Sequence, residues 1–104
     1  MYVAMNRFRV KHGFEDAFEG MWRNRESSLK ETTGFREFHL LRGASNDEEG
    51  FTLFASHTIW ESESAFYDWT RSENFRKAHA SAGQSEVEYM GPPVFEGFNA
   101  VVGA

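Results

Sequence analysis

The apolar residues of this chain change their spacing along its length, and the order of those changes restricts the fold more than any other feature. Tyr2–Val10 alternates, with Tyr2, Ala4, Asn6, Phe8 and Val10 on one face, the period of a strand. His12-Gly13 breaks it. Phe14 to Lys30 sets Phe14, Phe18, Met21, Trp22, Arg25 and Leu29 near one stripe, the period of a helix, and Thr33-Gly34 ends it. Phe35–Arg42 and Phe51–Trp60 read as a hairpin. The Gly43–Gly50 segment between them is read as a solvated loop, because its small and acidic residues cannot pack. Ser62 caps a helix through Trp69–Arg71, and Ser72 caps another through about Ala82. Each cap is followed by a glutamate in the first turn, which suits the helix dipole. Gly83–Pro93 reads as a loop and Val94–Val102 as a last strand. The order β-α-β-β-α(α)-β predicts an α+β, ferredoxin-like fold, an antiparallel sheet with helices on one face. Val3, Met5, Leu41, Phe54 and Trp60 put apolar residues on both strand faces. A sheet face without helices that bears such residues predicts a partner sheet, and so a homodimer packed sheet to sheet.

The 104 residues suffice for one domain, 1–104, and not for two. A formal charge of -5 argues against a nucleic-acid partner, which needs a basic face. The absence of cysteine excludes disulfides, thiolate-held metals and thiol catalysis. MYVAMNRFRV lacks the charged and apolar regions of a signal peptide, and no run approaches a membrane span, so a soluble, cytoplasmic protein without a membrane partner is expected. No GxGxxG, P-loop or HExxH occurs, which leaves nucleotide-enzyme and hydrolase readings unsupported. The 16% aromatic content fits either a phenylalanine-rich core or a ligand pocket.

Asn6 stands in an apolar row. Its amide either bonds to nearby backbone or faces a cavity, since an unsatisfied buried amide costs about 1–3 kcal/mol. His79 follows Phe75 by four residues and shares its helix face; it is either structural or a neutral imidazole ligand to a metal, haem iron being the one for which a single histidine suffices. Trp69, three residues after Phe66, is either core or a rigid plate against a flat ligand. Trp22 and Arg25 share a face of the first helix. Trp22 could line the same pocket and Arg25 could pair with a ligand carboxylate, although Glu19 and Glu26 offer it ordinary partners. His39 and His57 could meet across the hairpin, and His12 lies at a turn; none has the spacing of a zinc site. Ten residues of unbroken helix would set Trp69 and His79 about 80° apart, so the break at Ser72 is what lets both face one cleft.

Together, Asn6 in the first strand, Trp69 at the end of one helix and His79 in the next resemble the Asn–Trp–His set of the IsdG-type haem-degrading monooxygenases, members of the antibiotic-biosynthesis-monooxygenase superfamily of dimeric α+β barrels. The resemblance runs through "MNRF", "TGFREFHLLR" and "TIWESESAFYDWTRSENFRKAHA". The fragment WES-x-x-AF-x-x-W is common to the superfamily and speaks for fold; the trio is the discriminating part. The resemblance implies that His79 is the proximal iron ligand, that Trp69 pushes the porphyrin out of plane, and that Asn6 hydrogen-bonds near the distal oxygen ligand. Haem would be substrate and cofactor at once, with O2 as oxidant and electrons from an outside donor, an unidentified reductase. Trp22, Phe66 and Phe75 would line the haem pocket, Trp22 where the family often has Phe, and Arg25 would meet a propionate. Two other readings stay open at this level: a cofactor-free quinol or polyketide monooxygenase using the same cleft, and a non-enzymatic haem carrier.

Overall fold

The alternation at the start of the chain forms β1 (Tyr2–Lys11) in the computed structural model, which describes residues 1–25, 28–79 and 85–104. It is followed by α1 (Glu15–Arg23), a 3₁₀ turn (Leu29–Glu31), β2 (Phe35–Asn46), β3 (Phe51–Trp60), α2 (Glu63–Thr70), α3 (Glu73–His79) and β4 (Val94–Asn99). The strands form one antiparallel sheet in the order β2-β3-β1-β4, the ferredoxin-like arrangement expected.

Several boundaries differ from expectation, each for a local reason. The first helix does not reach Lys30. Asn24 takes its C-cap, and its backbone N–H donates to the Gly20 carbonyl at 3.0 Å. Asparagine competes with helical hydrogen bonding and favours such ends. The Gly43–Gly50 segment is not all loop: β2 continues to Asn46, with Ser45 opposite Thr52 and Asn46 opposite Phe51. On an edge strand, backbone pairing needs no apolar side chain. A Cβ on Gly43 would lie 3.2 Å from the Leu53 carbonyl oxygen, so a small residue suits the irregular register there. β4 stops at Asn99 because Asn99 already pairs with Tyr2, the first residue of β1. The expected continuation of the last helix to Ala82, and the first two residues of the expected Gly83–Pro93 loop, lie outside the described residues, as does Glu26.

Strand parity allocates the faces. Tyr2, Ala4, Val10, Phe54 and Trp60 are buried on the helix side. Phe54 and Trp60 are therefore core residues and do not contribute to the open face. That face is left to Val3, Met5, Leu41 and Ile59, joined by Val94 and Phe98, with Leu41, Val94 and Phe98 exposed. Gly97 on β4 makes room for Tyr2: the Tyr2 hydroxyl occupies the space a Cβ there would need. Burial pushes the Tyr2 phenol up to about 12.

The core falls into two clusters. One gathers Val10, Phe18, Phe54 and Val87 beneath α1, with Phe8 and Trp22 packed against it. The other gathers Tyr2, Ala4, Trp60 and Trp69 beneath α2, with Phe35, Phe66 and Phe75 against it. α1 and α2 thus cover opposite ends of the same sheet face.

Candidate active site

Between the large residues of the two clusters the sheet carries small or polar ones: Ala4 and Asn6 on β1, Ser56 and Thr58 on β3. None of these is large enough to close the space between the helices, and a cleft of about 1250 Å³ opens over them. That exceeds the roughly 300–1,000 Å³ usual for small-ligand sites. Trp22 and Arg25 form one wall; Phe66, Trp69, Phe75 and His79 form the other. All seven residues singled out from the sequence, Asn6 among them, line this cleft.

Asn6 lies on the cleft floor, opposite Ser56 on one side and Phe95 on the other. Among the described residues no hydrogen bond engages its side-chain amide. Among those residues the backbone does not satisfy it, so its donor and acceptor are open toward the cleft.

Trp69 and His79 are positioned by the helix break between them. Ser72 ends one helix and begins the next: its hydroxyl donates to the Trp69 carbonyl at 2.6 Å and accepts from the Phe75 N–H at 3.1 Å. Ser62 caps α2 in the same way, accepting from the Ala65 N–H at 3.1 Å. Trp69 is buried, and its indole meets the Phe75 ring edge-on at 5.6 Å. Phe75 in turn lies 4.1 Å from the His79 ring, so the three rings form a continuous wall.

The hydrogen bonds of His79 fix its tautomer. Nδ1 lies 2.8 Å from the Phe75 carbonyl, which can only accept, so Nδ1 carries the proton. Nε2 is then the atom with a free lone pair, and Arg25 Nη2 lies over the ring, 2.9 Å from Nε2 and 3.2 Å from Nδ1. Although solvent reaches the residue, the pKa of His79 is lowered from 6.5, chiefly by burial of the ring; the bond to Phe75 opposes this and the Arg25 charge adds to it. The imidazole is thus neutral at neutral pH, the form that can ligate a metal.

Arg25 stacks on Trp22, its guanidinium carbon 4.6 Å from the ring centroid. Trp22 stacks in turn on Phe38, at 5.6 Å and 20°. Glu19, one of the expected partners of Arg25, is instead shared by Arg23 at 2.9 Å and Arg42 at 2.7 Å. Among the described residues, Trp22 Nε1 and Arg25 Nε are buried without a partner. Two orphaned donors on one wall of an aromatic cleft suit a flat ligand that brings its own acceptors.

Phe38, Ser56, Thr58 and Phe95 also line the cleft and were not singled out from the sequence. Phe95 stacks on Phe66 at 5.5 Å and 5°. Its place beside Asn6 depends on the β1–β4 register, for which the sequence holds no local signal. His39 and His57 do meet across the hairpin, with ring centroids 6.5 Å apart, and His39 reaches Glu37 at 3.3 Å. No group of three or more candidate metal-binding side chains exists among the described residues. His12 bonds to Ser45 at 2.9 Å.

Known proteins match this chain along most of its length. A heme oxygenase (staphylobilin-producing) of Staphylococcus saprophyticus is 29% identical over 94 residues, covering 90% of this chain and 86% of its own. The solved structure of the heme degrader MhuD from Mycobacterium tuberculosis, with two hemes bound in its active site, superposes with a TM-score of 0.72. It is 25% identical and covers 100% of this chain and 99% of that one. SnoaB, a cofactor-independent oxygenase from Streptomyces nogalater, superposes at 0.69 with 20% identity, covering 96% and 92%, a likeness of fold alone. The model of the antibiotic biosynthesis monooxygenase family matches residues 1–81, and the chain belongs to that family.

Proposed function

We propose that the protein is a haem-degrading monooxygenase, which opens the porphyrin ring of a haem bound in the cleft with O2 and electrons from an outside reductase, releasing iron and a bilin-type product. The observation that carries the reading is the convergence of Asn6, Trp69 and His79 on one cleft from three separate elements. His79 would hold the iron through Nε2, its ring oriented by the Nδ1–H bond to Phe75. Trp69, buried and backed by Trp60 at 6.4 Å, offers a rigid plate against which a macrocycle would bend. Asn6 would donate a hydrogen bond from the floor without releasing a proton at neutral pH. The π faces of Phe66, Phe75 and Trp22 suit the macrocycle, and Arg25 suits a propionate. Iron would supply the capacity to activate dioxygen; the chain would supply orientation and shape.

The sheet face opposite the helices supports a second element of the reading. Leu41, Val94 and Phe98 are exposed there beside Val3, Met5 and Ile59, and a second copy of the same face is self-complementary to it. The active form is a homodimer packed sheet to sheet, acting in the cytoplasm; no helix among the described residues is long and apolar enough to cross a membrane.

Hemin titration tests the function, followed by ascorbate or a reductase in air with catalase present. The expected result is a Soret band that saturates at fixed stoichiometry, disappears with reductant while a bilin absorbance rises, and fails to form with His79→Ala. A band that survives reductant would replace the enzyme with a carrier. No band at all would move the reading to a cofactor-free monooxygenase.

A further inference from the structure

The sheet face without helices carries a titratable group in its middle. His57 stands on β3, opposite Met5 of β1 on one side and His39 of β2 on the other, with Val3, Ile59 and Leu41 on the same face. It is half-buried, and its Nδ1 is buried without a hydrogen-bond partner among the described residues. The His39 ring lies 6.5 Å away, centroid to centroid. His39, on the edge strand that also borders the cleft, reaches Glu37 at 3.3 Å. The other charges of the face lie along β1. Arg7 pairs with Glu96 of β4 at 3.3 Å, Arg9 lies over Phe51 at 5.9 Å, and Lys11 pairs with Glu88 at 3.5 Å. Glu37, Glu96 and Glu88 are thus engaged elsewhere, and among the described residues no carboxylate pairs with His57.

A second copy of this chain is the occupant that the face fits. Its centre is apolar, with Val3, Met5, Ile59 and Phe98, and charges of both signs border it, the anatomy of a protein interface. A two-fold axis lets one such patch serve both sides. Only the neutral imidazole suits that burial, since its Nδ1 is then a bare lone pair without charge. A protonated imidazole carries a donor on both nitrogens. Its Nδ1–H would have no acceptor, its charge no counter-ion, and protonation of His39 would add a like charge beside it. A second sheet laid over the face removes the water that solvates such a charge. We infer that His57, with His39 beside it, makes the self-association of this face proton-sensitive: two copies pack sheet to sheet while His57 is neutral, and separate as the pair takes up protons. This rests on the homodimer reading above and deepens it by assigning the regulation of that interface.

The sign of the pH effect separates this behaviour from general electrostatics. The chain carries a formal charge of -5 at pH 7, so two copies repel, and acid would tighten an ordinary dimer by lowering that charge. A proton-sensitive dimer loosens instead, because the paired form binds fewer protons than the separated copies. With one proton given up per copy on pairing, Kd rises by up to about a hundredfold per pH unit on the acid side of the titration.

Sedimentation velocity across a concentration series tests this from about pH 7.5 to about pH 5.5, one unit either side of an ordinary imidazole. The proteins are the wild type, His57→Gln and His57→Leu, with circular dichroism confining the comparison to folded protein. The wild-type Kd should rise about tenfold or more toward acid. In both variants it should stay level or fall, and either variant suffices if the other does not fold. A wild-type Kd that is level or falls in acid overturns the proton sensitivity and leaves the dimer standing. So do variants that loosen as much as the wild type. A wild type that stays monomeric at about pH 7.5 at every concentration overturns the homodimer reading, and the proton sensitivity with it.

Discussion

The roles proposed for Asn6 and Trp69 are separable, because one presents a polar group to the cleft and the other a buried ring. Asn6→Ala removes a cleft-facing amide without opening a core cavity. Haem affinity should hold while the rate of ring opening falls about 100-fold, the order seen when a positioned donor is lost from an active site. Single-turnover absorbance decay measures it. Trp69→Phe keeps most of the packing against Trp60 and Phe75 but shortens the plate. Haem should still bind, its ring should flatten by resonance Raman spectroscopy, and turnover should slow by about tenfold, the equivalent of ~1.4 kcal/mol of barrier. These residues were legible in the sequence because their placement rests on local rules. Strand parity puts Asn6 on the helix side, and the serine at position 72 lets two short helices present Trp69 and His79 to one space. The Arg25–His79 contact was not legible. It needs the helix to end at Asn24, with Arg25 just beyond it reaching α3, whereas helical periodicity extends the stripe through Arg25 to Leu29.

At the scale of elements, the junction between α2 and α3 is held by one hydroxyl. Ser72→Ala should cost about 1 kcal/mol, as loss of an N-cap does, seen as a lower urea midpoint with an unchanged slope. It should also weaken haem binding, since α3 carries His79. α1 is tied down at its other end by Glu15, which accepts from the Gly13 N–H at 2.8 Å and the Thr52 hydroxyl at 2.9 Å. Hydrogen bonds from its own backbone N–H, Thr52 and Gly13 lower its pKa below 4.5. A carboxylate depressed on folding stabilises above its unfolded pKa, and that contribution disappears as the pH falls through the folded value. Denaturation between pH 7 and 3 should therefore show a steeper acid loss in the wild type than in Glu15→Gln, beginning near pH 4.5. The order of elements was readable from period alone. The length of β2 was not, because a polar edge strand and a solvated loop have the same composition and differ only in whether a neighbouring backbone pairs with them.

At the scale of the molecule, the sheet face without helices calls for its own test. Leu41→Glu and Phe98→Glu replace residues exposed in the single chain, so each should leave the fold intact. Each would bury an unpaired charge in a sheet-to-sheet dimer, and should weaken association by about tenfold or more. Sedimentation velocity across a concentration series measures this, and an unchanged profile would remove the face as the interface. On the opposite face, the division of the core into two clusters has a consequence for the life of the protein. The chain has a furrow where most domains have their centre, spanned by the sheet floor and by Arg25 reaching His79. A guest resting on both walls becomes the keystone, adding about 2.7 kcal/mol of folding free energy at a hundredfold excess over its dissociation constant. Proteases that attack the opened chain would then remove the vacant protein first and spare the loaded one. The pool of this protein would rise and fall with the supply of its guest, with no separate sensor required.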